Sequence, residues 1–164
     1  MVPNPRFVLL FAAWFTALYL FIEGGREPGI TPFVVHWFVL QPAAAILNEF
    51  AASHPVVVDG QRLVSAELRL RVLPGCEGTE TWALLLAAVF AAPLSWRRKV
   101  AGALMGTALV LALNLARIVL LFVSAGANRD VFNAIHGYIA PTLIIVAASA
   151  YYLALVAQTR PRPP

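Results

Sequence analysis

The sequence predicts an all-α integral membrane protein with four transmembrane helices, an outer interfacial helix and a small extracytoplasmic β-hairpin. Three observations carry this expectation. Of 164 residues, 60% are hydrophobic and only 12% charged, with a mean hydropathy of +0.78; a soluble domain carries about 25% charged residues. So short a chain cannot hide that excess in one globular core, so lipid is the solvent that fits. Four runs, at residues 7–22, 81–95, 100–125 and 138–157, approach the length that crosses a hydrocarbon core, for which roughly 17–25 helical residues are needed. Finally, Arg6, the Arg97-Arg98-Lys99 cluster, Arg160 and Arg162 all flank these runs, with no acid beside them.

The first run, Phe7 to Ile22, is long for the apolar part of a secretory signal. It lacks a small-residue cleavage site before Glu23-Gly24-Gly25, so it reads as an uncleaved span. The segment Phe33 to Phe50 is apolar but contains His36, Gln41, Pro42 and Asn48. Charge decides how to place it. Basic flanks face the cytoplasm, and every acid (Glu23, Glu27, Glu49, Asp59, Glu67, Glu77, Glu80 and Asp130) falls in the other connections. Both chain ends inside require an even number of spans, so residues 33–50 are expected to lie in the outer interface as an amphipathic or re-entrant helix.

Between Pro55 and Leu73 the pattern changes. Asp59-Gly60 is a tight-turn signal, and Ala66 to Val72 alternates apolar and charged residues, the period of a half-buried strand. This predicts a hairpin on the membrane surface leading through Pro74-Gly75 into Cys76. Trp37, Trp82 and Trp96 read as interfacial anchors, and Gly102 with Gly106 as a close helix-packing pair. His36 and His54 have no motif around them and read as surface residues. Residues 1–158 form one expected membrane domain, and Thr159 to Pro164 a short Pro-rich cytoplasmic tail.

Composition excludes several classes. The net charge of +4 sits at membrane edges and not along a groove, which argues against nucleic acid. One cysteine permits no internal disulfide, and no Cys/His spacing suits a structural zinc, so no metal or cofactor is expected.

Under this topology three reactive side chains share one depth. Cys76 precedes the second span at its outer end, with Thr79 the expected N-cap, so it stands near a helix N-terminus, which favours a thiolate. Arg117 is about 27 Å above Lys99 at 1.5 Å per residue, and His136 begins the last span. Taken singly, a lone cysteine is commonly a small buried hydrophobe and an interfacial histidine a structural hydrogen-bonder. An intramembrane arginine is different: it is costly and rarely persists without a partner or a task. Asn114, one turn before Arg117, reads as an interhelical hydrogen-bonder that orients Arg117. Together the three suggest acyl transfer: a thiolate attacks, a guanidinium stabilises anionic charge, and an imidazole moves the proton. Glu77 and Glu80 flank Cys76 and oppose its ionisation, unless Arg117, Arg71 and the helix dipole outweigh them or the acids point away.

These pieces resemble the exosortase/archaeosortase family of membrane cysteine transpeptidases. Gly75-Cys76-Glu77-Gly78 matches its Cys-x-Gly motif, Asn114-Leu115-Ala116-Arg117 its Asn-x-x-Arg, and His136 heads the last span; the Pro93-to-Lys99 turn and the Asp59-Gly60 segment are also similar. The short H-type members are the nearest in pattern. The resemblance implies Cys76 as nucleophile, Arg117 as thiolate or oxyanion partner and His136 as general acid/base. The implied substrate is a secreted protein with a C-terminal sorting tail (motif, transmembrane helix, basic cluster), cleaved at the outer face of a bacterial inner membrane and passed to a surface acceptor. Two other classes remain: a transporter or channel component using Arg117 and His136, and a non-catalytic assembly protein using the Gly102/Gly106 face. Only the enzyme needs the thiol.

Overall fold

The computed structural model describes residues 4–26, 29–50, 55–73 and 75–158. Glu27, His54, Pro74, Arg160, Arg162 and the tail from residue 159 lie outside the described residues.

Helix α1, Pro5–Gly24, starts where Asn4 accepts the Arg6 N–H at 3.1 Å and Pro5 occupies the first turn. There the missing proline N–H is harmless and its fixed φ suits the helix. Only Ile22 of α1 is buried within the chain, so its apolar surface is left for lipid. Helix α2 runs Ile30–Phe50, interrupted by a π-helical turn at His36–Leu40. Three strands follow: β1, Val57–Asp59; β2, Arg62–Val64; and β3, Arg69–Arg71. Helix α3, Thr79–Ala91, ends just before Pro93, and α4 is the long Trp96–Ala127. Helix α5, Arg129–Ala157, carries a second π-turn at Ile135–Ile139.

Among the described residues four helices are long and apolar enough to cross a membrane: α1, α2, α4 and α5. The count agrees with expectation, but the membership by length differs. At 13 residues, α3 is about 20 Å long, short of the roughly 30 Å hydrocarbon core, whereas α2 has 21 residues. Packing separates them in the opposite sense. Helix α3 lies inside the bundle, antiparallel to α1: Trp14 meets Phe90 at one end, with ring centroids 5.1 Å apart, and Arg26 meets Glu77 at the other. Leu85 and Val89 of α3, Val110 of α4 and Ala148 of α5 form one core. Helix α2 instead buries Val35, Val39, Ala43 and Leu47 against Ile118 and Phe122, from the second half of α4, and against the sheet.

The expected hairpin is a three-stranded antiparallel meander, β1-β2-β3. Asp59-Gly60 does turn β1 into β2, pairing Asp59 with Arg62, and β3 adds Leu70 opposite Leu63. The strand itself is confined to Arg69-Leu70-Arg71, because Ser65 caps a turn through Leu68, but the predicted alternation holds from Leu68 to Val72: Leu68, Leu70 and Val72 pack toward the core while Arg69 and Arg71 are exposed. Leu63 and Val72 are buried against α2, which gives the sheet its hydrophobic face.

The Gly102/Gly106 pair packs as expected. A Cβ on Gly102 would lie 2.6 Å from Leu155 Cδ2, and one on Gly106 2.9 Å from Leu85 Cδ2, while the Tyr151 hydroxyl donates to Gly102 O at 2.7 Å. Trp37 and Trp96 are exposed, as anchors are. Trp82 departs from that expectation: it turns inward and its Nε1 donates to Thr107 Oγ1 at 2.9 Å, since a buried indole N–H needs an acceptor. His36 is half-buried, with Nε2 3.2 Å from Nε2 of the exposed Gln41.

Candidate active site

The loop Gly75-Cys76-Glu77-Gly78 delivers the thiol to the start of α3. Gly75 and Gly78 have φ of +86° and +79°, backbone that only glycine adopts without strain. Gly78, not the expected Thr79, is the N-cap; Thr79 is the first helical residue, and its hydroxyl donates to Glu77 Oε2 at 3.4 Å. A Cβ on Gly78 would lie 2.9 Å from Asn114 Cγ, so the two motifs that looked separate in sequence are in contact.

Asn114 is fully buried, and its Nδ2 donates to Glu77 O at 2.9 Å. It is therefore the hydrogen-bonder between elements that the sequence suggested, and the group it holds is the cysteine loop at the start of α3 rather than Arg117. Its Oδ1 and Arg117 Nε are the buried side-chain polar atoms without a partner among the described residues.

Arg117, one turn further along α4, is 7% exposed. Its Nη2 is 3.9 Å from Cys76 Sγ and donates to His136 O at 3.3 Å. Among the described residues no carboxylate lies within ion-pair distance of Arg117. Cys76 itself is half-buried, with its N–H on Leu73 O at 2.9 Å.

Of His136, the backbone rather than the imidazole meets Arg117. The ring is exposed and stacks on Phe132, 5.6 Å away at 6°. The π-turn explains why the carbonyl is free. Ala140 N–H reaches back to Ile135 O, and the next residue, Pro141, has no N–H to offer. The carbonyl of His136 is thereby left without a helical donor, and the guanidinium supplies one. Sequence reasoning passed over Pro141, although a proline five residues after a candidate histidine was a readable signal. The same arrangement recurs in α2, where Gln41 N–H bonds His36 O immediately before Pro42.

Glu77 is buried, and its Oε2 lies 3.2 Å from Arg26 Nη1. Burial raises its carboxyl above the ordinary range, against the opposing pull of the Arg26 charge. Glu80 and Arg71 are exposed. Behind the loop, a cavity of about 260 Å³ is lined by Phe21, Val35, Phe38, Glu77, Gly78 and Asn114 among others, but not by Cys76 or Arg117.

The family model described as transmembrane exosortase (Exosortase_EpsH) matches residues 7–154. The chain belongs to the transmembrane exosortase family. It is accordingly a multi-pass membrane protein of a protease/transpeptidase family. The matched span takes in the short H-type pattern together with the Cys76 loop, the Asn114-to-Arg117 turn and His136. No curated protein and no solved structure is similar enough to this exosortase to count as a match.

Proposed function

We propose that this exosortase is a cysteine transpeptidase that cleaves a C-terminal sorting tail of secreted proteins and passes the new C-terminus to an acceptor. The observation that carries this reading is the buried Arg117 guanidinium. It has no carboxylate partner among the described residues and points at the chain's single thiol, 3.9 Å away. A cation kept in such surroundings is costly unless negative charge appears beside it, and thiolate attack on a carbonyl generates that charge.

In this reading Cys76 Sγ gives up its proton to the His136 imidazole and bonds to the scissile carbonyl carbon. Arg117 holds the resulting oxyanion. Collapse breaks the C–N bond, His136 returns the proton to the leaving amine, and a thioester remains on Cys76. A nucleophilic acceptor then attacks the thioester, forms the new bond and releases the thiol. The imidazole has to leave its stack on Phe132 and turn toward Cys76 when substrate binds; catalytic contacts commonly tighten only in the complex. Arg6, Arg97, Arg98 and Lys99 lie at the end of the bundle opposite Cys76. Basic ends face the cytoplasm, which supports a bacterial inner membrane with the site toward the periplasm.

Cys76→Ser tests this. A hydroxyl without a strong base is a far poorer nucleophile, so the variant should insert normally while precursors retaining a hydrophobic C-terminal tail accumulate in the membrane. Mass spectrometry of membrane proteins from the host strain reads the result. Unchanged processing by Cys76→Ser overturns the enzyme reading, and the transporter and scaffold alternatives expect that silence.

A further inference from the structure

The cysteine loop carries a carboxylate that acyl transfer does not use. Glu77 directly follows Cys76, and its side chain is only 2% exposed. A negative charge beside a thiol that must ionise opposes that ionisation. Yet Glu77 is tied off on the other side of the loop. Its Oε2 meets Arg26 Nη1 at 3.2 Å and receives the Thr79 hydroxyl at 3.4 Å. Arg26 is itself fixed by Glu23 at the end of α1, Nε to Oε1 at 2.8 Å. Glu77 lines the cavity against α1 and α2, from which Cys76 is absent, whereas Cys76 faces Arg117 on α4.

We infer that Arg26 is a positioning residue that acts through Glu77, holding this carboxylate against α1 and neutralising it so that Arg117 is the charge the Cys76 thiol meets. This rests on the reading that Cys76 is the nucleophile. Among the described residues the groups around Glu77 are Arg26, Glu23 and the Thr79 hydroxyl; those around Cys76 are the Arg117 guanidinium and, through it, the His136 carbonyl, with Arg71 and Glu80 exposed nearby on the chain. Stability alone does not account for the pair, because a buried ion pair is often replaced by apolar residues without loss. Its place next to the only thiol does. The tie also spans 51 residues, so it links the end of the first span to the loop that the chemistry depends on.

The test uses the full chain in detergent or nanodiscs and reads the pH at which alkylation of Cys76 by iodoacetamide is half-maximal. There is no background, since the chain has one cysteine. Arg26→Gln leaves the carboxylate unneutralised and should move the midpoint up by about one pH unit. That is roughly tenfold in rate at fixed pH, the size expected for a unit charge about 12 Å away at an effective dielectric of about 20. Glu77→Gln should move it down, while Arg26→Lys and the double variant Arg26→Gln/Glu77→Gln should stay near wild type. A merely structural ion pair would not order the midpoints by charge. An Arg26→Gln midpoint equal to wild type, or a double variant that keeps the Arg26→Gln shift, overturns the inference. If Arg26→Gln fails to accumulate, Glu77→Gln and the double variant decide: only the former retains the cation, so equal midpoints overturn it. Alkylation needs no substrate, so a Cys76→Ser chain that still processes precursors sinks the transpeptidase reading without touching these midpoints.

Discussion

Replacing Gly78 by alanine isolates the contact on which the cysteine loop is built. Gly78 has φ +79°, and an added Cβ would stand 2.9 Å from Asn114 Cγ and 3.2 Å from its Oδ1. The left-handed backbone costs an L-residue about 1–2 kcal/mol, and forcing a methyl into a packed site costs about 1–3 kcal/mol more. Asn114 is fully buried and fixed through Nδ2 to Glu77 O, so it has little room to yield, and the expected loss is about 3 kcal/mol. Gly75→Ala is the control. Its φ is +86°, but the nearest atom to a Cβ is Glu80 Oε1, the far end of a flexible side chain, at 3.8 Å. Only the backbone contribution of about 1–2 kcal/mol applies there. Equilibrium unfolding in mixed detergent micelles, run on wild type, both alanine variants, Asn114→Ala and the Gly78→Ala/Asn114→Ala pair, reads these differences. The two glycine variants should be separated by at least about 1 kcal/mol, and Gly78→Ala should be partly relieved in the Asn114→Ala background. Equal losses at Gly75 and Gly78, or strict additivity with Asn114→Ala, would refute the contact argument.

Three further outcomes are expected. Arg117→Lys keeps a charge but loses the planar donor set that reaches Cys76 Sγ and His136 O together; precursor processing should fall at least about tenfold at unchanged protein level, and wild-type rates would remove the role given to the guanidinium. Pro141→Ala restores an N–H to the helix and should stabilise it, yet the π-turn that frees His136 O should relax, and processing should drop by about tenfold with the loss of one charge-assisted bond. Glu77 takes up its proton in the folded state above its ordinary value of 4.5 because it is buried. The folded state therefore binds more protons at this group than the unfolded one in that window, so Glu77's contribution to stability is greatest below 4.5 and declines as pH rises through the raised value. Glu77→Gln should flatten that decline in unfolding curves measured across the same window.

Hydropathy and charge placement in the sequence determined a great deal. Long apolar runs can satisfy their backbone in lipid only as helices, so the helical membrane architecture is written locally in α1, α4 and α5. The common depth of Cys76, Arg117 and His136 follows from counting about 1.5 Å per residue, and the Gly75-Cys76-Glu77-Gly78 and Asn114-to-Arg117 motifs were legible as a resemblance to the family. The turn at Asp59-Gly60 and the close packing at Gly102 and Gly106 are likewise local properties of small residues. Tertiary structure decided what depends on distant partners. Length makes α2 a crossing candidate and α3 too short, but only packing reveals that α3 belongs to the bundle and α2 shares its core with the sheet. The alternation of β3 was legible, but its pairing beside β2 and the inward turn of Trp82 onto Thr107 had no local signal, because each depends on a partner elsewhere in the chain. At the site, Asn114 grips the loop carbonyl, Arg117 meets the His136 backbone and Glu77 turns to Arg26. Hydrogen bonds and ion pairs are directional and short-ranged, so which of several polar groups at one depth actually meet is settled by helix rotation and a π-turn, and no sequence period encodes either.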